Sequence, residues 1–147
     1  MRRGMTRARF VLAVLTGIAA QAAFAAVTVK DAWVRGTVPG QGATGAYATL
    51  RSTEDAKVVG VASPAAKRAE IHENDMSGGV MRMRPVPSVA LPANRDVALE
   101  GEKHIMLLDL PHALGAQDKV KLVFTIEDAR GKRSSVEVEA PVRPLGR

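Results

Sequence analysis

The chain has no cysteine in its 147 residues, and only 3% of it is aromatic. Without thiols there is no disulfide, no thiolate metal site and no blue-copper electron carrier, whose copper needs a cysteine sulfur. Stability must then come from apolar burial, with or without help from a bound metal. Long hydrophobic runs are missing too. Nothing approaches the roughly 20 apolar residues of a membrane-crossing helix, and no stretch shows the 3.6-residue period of an amphipathic helix. Enzyme signatures are equally sparse. There is no G-x-S-x-G, no phosphate-binding loop and no H-E-x-x-H, and Gly40-Gln41-Gly42 is too short a glycine pattern to count.

The first 25 residues read as a separate object. Arg2, Arg3, Arg7 and Arg9 precede an apolar run from Phe10 to Ala20, and Ala23-Phe24-Ala25 supplies a small-x-small cleavage pattern. Residues 1–25 are therefore expected to be a cleaved secretory signal peptide, leaving residues 26–147 as one domain. Setting the leader aside changes the charge. The full chain carries +6, but four of its 21 basic residues and none of its 15 acidic ones lie in the leader, so the remainder carries +2. That balance, with no basic stripe interleaved with aromatics, argues against nucleic acid or an acidic membrane surface as partner.

The rest of the chain is short alternating stretches separated by turn residues. Strands are expected over 27–34, 46–51, 58–62, 67–73, 80–84, 89–91, 97–99, 103–110, 119–126 and 134–142. Glycine and proline punctuate them, most strongly at Ser77-Gly78-Gly79, Pro85, Pro87 and Pro92. The segment 111–118 reads as a loop with room for one helical turn. This pattern predicts an all-β fold, an antiparallel β-sandwich or barrel. Strand order is not legible this way.

Soft ligands are concentrated in one stretch, Ile71 to Met106. Beyond the leader's Met1 and Met5, all four methionines, Met76, Met81, Met83 and Met106, lie in it, as do His72 and His104; His112 follows shortly after. Thioether and imidazole without thiolate suit copper(I) in an oxidising compartment. Side chains two apart on a strand share a face, so His104 and Met106 are neighbours while Ile105 faces the other way. Met81 and Met83 pair likewise, with Arg82 opposite. A two-residue turn within 77–79 would put His72 on the face of Met83, and a three-residue loop would put them on opposite faces. Two such pairs brought together across the sheets would converge near one edge. Against this stands the ordinary fate of a strand methionine, which is to fill core. Met81 reads as core or as support behind the site, Met76 as an exposed loop residue, His112 as a surface residue, and Trp33 and Tyr47 as core. Glu70 and Glu73 flank His72, either orienting its second nitrogen or only solvating the strand.

In these residues the chain resembles the periplasmic copper chaperones of the PCu(A)C type. That family has a His, ten residues, a Met, about twenty-one residues and then His-x-Met. Here ten residues separate His72 from Met83, and twenty separate Met83 from His104-Ile105-Met106. The likeness extends to Asp31-Ala-Trp-Val-Arg35, Gly45-Ala-Tyr-Ala-Thr-Leu50, Val61-Ala-Ser-Pro-Ala-Ala66, Glu70-Ile-His-Glu73, Gly79-Val-Met-Arg-Met-Arg-Pro85 and Leu91-Pro92. The resemblance implies a cupredoxin-like Greek-key sandwich and one Cu(I) held by His72, Met83, His104 and Met106. It implies delivery by ligand exchange to the copper A centre of cytochrome c oxidase in the periplasm; whether a thioredoxin-like assembly factor works alongside stays open, and the missing enzyme motifs argue against enzymatic activity. Two departures stand out. Asn74 occupies the place where many relatives carry a further Met, so that an auxiliary ligand is either missing or replaced by Met76, and the tail has neither the His nor the Met that some relatives use for Cu(II). Two other readings remain at this point: a copper-dependent oxidase, and an exported β-sandwich for adhesion or assembly that binds no metal.

Overall fold

The structure is a computed structural model and describes residues 25–145; the expected leader lies outside them except for Ala25. Ten strands follow one another: β1 (Val27–Arg35), β2 (Ala43–Ser52), β3 (Ala56–Ala62), β4 (Arg68–Asp75), β5 (Arg82–Pro85), β6 (Val89–Leu91), β7 (Asp96–Leu99), β8 (Lys103–Leu108), β9 (Lys119–Asp128) and β10 (Arg133–Arg143). Among the described residues the single helical element is a 3-10 turn at Ser77–Gly79. The 111–118 segment is a loop with no helix.

The strands hydrogen-bond in the order β5-β4-β8-β2-β1-β10-β9-β3-β6, with β7 pairing onto β2 beyond the end of β8. One layer holds β5, β4, β8, β7, β2 and β1, and the other holds β10, β9, β3 and β6. They join where β1 and β10 run parallel at Val34↔Val142 and Arg35↔Arg143, and every other pairing is antiparallel. The all-β, cupredoxin-like sandwich expected from the sequence is thus what forms, as one mixed sheet curled on itself.

Alternation decides which side chains enter the core. Val120, Leu122, Phe124 and Ile126 of β9 are buried, and from the facing layer come Ala46, Ala48 and Leu50 of β2, Ile105 and Leu107 of β8 and Ile71 of β4. Each large member contributes about 1.5–3 kcal/mol on burial, and in a chain without disulfides that burial carries the stability. Because Ile71 and Ile105 face inward, their neighbours His72, His104 and Met106 face outward.

Two irregularities shape that outward face. In β1 the register with β2 shifts by one between Lys30↔Thr49 and Trp33↔Tyr47, and Asp31 adopts φ 55°. This is a β-bulge, two residues of β1 opposing one of β2. Before it Val27 and Val29 point inward; after it Val34 does, and Trp33 points out. Strict alternation would have put Trp33 inside, so its expected core position is overturned by the bulge, and Tyr47 on the paired strand faces out with it. Second, β4 and β5 are joined by the six residues Met76 to Met81, folded over by Gly78 and Gly79 at φ 79° and 77°. The pairs His72↔Pro85, Asn74↔Met83 and Asp75↔Arg82 keep the parity of a two-residue turn. His72 and Met83 therefore share a face. Met81 falls in the connection, outside β5, and is 57% exposed, so neither core nor strand holds it.

Candidate metal centre

His72 and His104 stand directly opposite each other on β4 and β8. Their ring centres are 6.3 Å apart with planes tilted by 57°. An ion about 2 Å from a ring nitrogen lies about 3 Å from that ring's centre, so the spacing accommodates one ion between them. Met106 is two residues along β8 on the same face, opposite Glu70 of β4 and Gly45 of β2. Met83 is on β5, opposite Asn74 and diagonal to His72. All four expected residues thus occupy one outward face of adjacent strands in one layer, rather than converging from two sheets.

The two imidazoles differ. Nε2 of His72 lies 2.8 Å from Oε2 of Glu70. A carboxylate only accepts, so Nε2 carries the hydrogen and, in the neutral ring, Nδ1 carries the lone pair. That Nδ1 is buried and has no hydrogen-bond partner. An unpartnered buried acceptor costs about 1–3 kcal/mol, and its donor chemistry fits a metal ligand held from behind by a carboxylate. Glu73, the other flanking acid, is taken up by Lys103 and Arg84 at 3.2 and 3.5 Å. His104 is only 6% exposed. Burial holds its imidazole below the usual value, the neighbouring His72 adds to this, and a hydrogen bond with the Gly101 backbone opposes it. The neutral ring, the form that binds metal, is favoured.

A groove of about 380 Å³ opens beside these residues, lined by Trp33, Arg35, Tyr47, Asn74, Met83, Glu100, Gly101 and His104. Met83 is 54% exposed in it. Trp33 and Tyr47 stack at 4.3 Å, Arg143 lies 4.4 Å over the Trp33 ring and Arg35 5.9 Å from that of Tyr47. Tyr47 lies across Gly45, where a Cβ would come within 2.9 Å of the ring carbon bearing the hydroxyl. Glycine there lets the ring settle next to the Met106 position. Asn74 also has a buried, unpartnered atom, its Oδ1, while its Nδ2 donates to the Gly101 carbonyl at 3.2 Å. The aromatic wall was not legible as part of the site, and Asn74 was marked only by standing where relatives carry a further Met. The Gly45-x-Tyr47 spacing was the one available signal, and it needs the bulge to be interpreted. His112 is exposed in its loop, as expected.

Comparison with known proteins agrees with this architecture. The LpqE-like lipoprotein family matches residues 27–142. A protein named as a lipoprotein, Lxx21020 of Leifsonia xyli subsp. xyli (strain CTCB07), is 32% identical over 121 residues, covering 80% of this chain and 69% of that protein. Among solved structures, the apo PCuAC domain from PmoF1 superposes with a TM-score of 0.64 at 21% identity, covering 80% of this chain and 93% of that one. The solution structure of Cu(I)-DR1885 from Deinococcus radiodurans gives 0.57 at 30% identity, covering 76% and 74%. The copper-bound PCuAC domain from PmoF2 gives 0.63 at 16% identity, covering 80% and 92%. At the identities of the two PmoF domains the likeness is one of fold.

Proposed function

The chain belongs to the LpqE-like family, which is of the PCu(A)C type, and from that premise we propose that it is a copper carrier. It binds one Cu(I) through His72, Met83, His104 and Met106 and releases it by ligand exchange. The observation that carries this reading is the cross-strand His72–His104 pair, with ring centres 6.3 Å apart and a buried, unpartnered Nδ1 on His72, on the same outward face as Met83 and Met106. Cu(I) is named in a solved relative at 30% identity, which supports the oxidation state.

The chemistry suits a carrier. Two thioethers and two imidazoles favour Cu(I) over Cu(II) and select against Zn(II), which prefers thiolate, imidazole and carboxylate. His104 and the Glu70-backed His72 form the sheltered side of the site. Met83, half exposed at the rim, is the donor that an acceptor's ligand replaces first. The chain acts by transfer and not by catalysis. The exported compartment is the periplasm and the acceptor is the copper A centre of cytochrome c oxidase, a reading supported by the leader-like N-terminus, the lipoprotein relatives and the PCu(A)C likeness. Residues 26–147 form the working domain.

The test is an anaerobic Cu(I) titration of residues 26–147 against a competing chelator, with X-ray absorption on the product. One tightly bound Cu(I) with mixed sulfur and nitrogen scattering is expected, weakened in Met83→Ala and His104→Ala. Failure to compete, or affinity indifferent to both substitutions, would overturn the carrier reading and favour an adhesion or assembly module.

A further inference from the structure

Two methionines take no part in the four-residue set, and their placement is unusual. Met76 and Met81 stand at the two ends of the β4–β5 connection, one step beyond the Asp75↔Arg82 pair. The 3-10 turn and the left-handed Gly78 and Gly79 fold the connection back so that both ends stay together. They are 62% and 57% exposed, whereas most other large apolar side chains among the described residues are inside. Both line a groove of about 490 Å³ with Glu73, Asn74, Asp75 and Glu102. Arg84 also lines it, but it and Lys103 are engaged with Glu73, so Asp75 and Glu102 leave the lining negative.

We propose that Met76 and Met81 form a second, weaker site for a soft monovalent cation, Cu(I) or its closed-shell analogue Ag(I). Paired thioethers select such ions over harder divalent ones, and the acidic lining attracts a cation while repelling anions. Asn74 borders both this groove and the one holding Met83 and His104. Its buried, unpartnered Oδ1 is an additional oxygen donor on the path between them. Two thioethers without imidazole bind less tightly than the four-residue set, so the loop site fills second. A landing site of this kind lets an ion be captured at the surface before it reaches the sheltered histidines.

The rank of the loop site as second rests on the four-residue reading, and one experiment separates failure of the two. The protein, labelled with ¹³C at the methionine methyls, is titrated with Ag(I) in chloride-free buffer, the signals being assigned by single Met→Leu variants. The Met83 and Met106 methyls are expected to shift with the first equivalent and those of Met76 and Met81 only with the second. The Met76→Leu/Met81→Leu double variant should lose the second equivalent and keep the first. Immobile Met76 and Met81 methyls would overturn the proposal, as would movement in step with or ahead of Met83 and Met106 methyls that themselves shift, or a second equivalent retained by the double variant. Immobile Met83 and Met106 methyls would instead count against the carrier site alone.

Discussion

Glu70 holds the Nε2 edge of His72 at 2.8 Å, and in the neutral ring this leaves the lone pair on a buried, unpartnered Nδ1. Both residues project from the same face of β4, two positions apart, which is why a strand can supply a ligand and its support without any loop. Removing such a support commonly lowers metal affinity about 10–100-fold. Glu70→Ala is expected to reduce Cu(I) affinity within that range in chelator competition, and Glu70→Gln, which keeps an accepting oxygen, less so. Unchanged affinity in Glu70→Ala would assign the acid to solvation and to its pairing with Arg68 alone.

Neighbours on β8 should separate stability from binding. Ile105 is fully buried and Met106 faces outward. Ile105→Ala is expected to cost about 2–5 kcal/mol in urea unfolding. Met106→Leu should cost less than about 1.5 kcal/mol, yet weaken Cu(I) binding by removing the thioether. A leucine variant that binds Cu(I) as tightly as the parent would remove Met106 from the site.

The bulge in β1 offers a backbone test. Asp31 sits at φ 55°, a region that Asp tolerates and a β-branched residue does not. Asp31→Val is expected to lose about 1–2 kcal/mol, while Asp31→Gly stays within about 0.5 kcal/mol of the parent. Equal stability of the two variants would show that the bulge does not depend on this conformation.

Acid sensitivity should trace to surface pairs. Asp96 is held below its ordinary 3.8 by hydrogen bonds from Lys30 and then Arg51, and Glu127 below its ordinary 4.5 by Arg133 and then Lys57. A carboxylate with a depressed folded-state pKa stabilises the fold above its unfolded value and loses that contribution as pH falls through its folded value. Below the earlier decline that the depressed His104 starts under its ordinary 6.5, the unfolding free energy of the metal-free protein should fall further through these pairs, from near pH 4.5, the ordinary Glu127 value, to below 3.8. Asp96→Asn with Glu127→Gln should flatten this limb, as should high salt. Superimposable limbs in parent and variant would show that these exposed pairs contribute nothing measurable.

Local chemistry was legible in the sequence because it depends on near neighbours. Alternation in Lys119 to Ile126 and Lys103 to Leu110 specified strands with one inward face, and it placed His104 with Met106 against Ile105. Zero cysteine ruled out a blue-copper centre, and the spacing of His72, Met83, His104 and Met106 pointed to a family. What the tertiary structure decided were relations that no local pattern encodes. An even number of residues between β4 and β5 put His72 and Met83 on one face; the sequence left open whether the turn would keep that parity. A one-residue bulge at Asp31 turned Trp33 out of the core and onto the site face, although alternation alone assigns it inward. The pairing of β4 with β8 set His72 opposite His104, and pairing between strands remote in sequence follows from how the whole sheet curls to bury its apolar face. Side-chain type is written residue by residue, but facing is a property of register, and register is settled only when the strands meet.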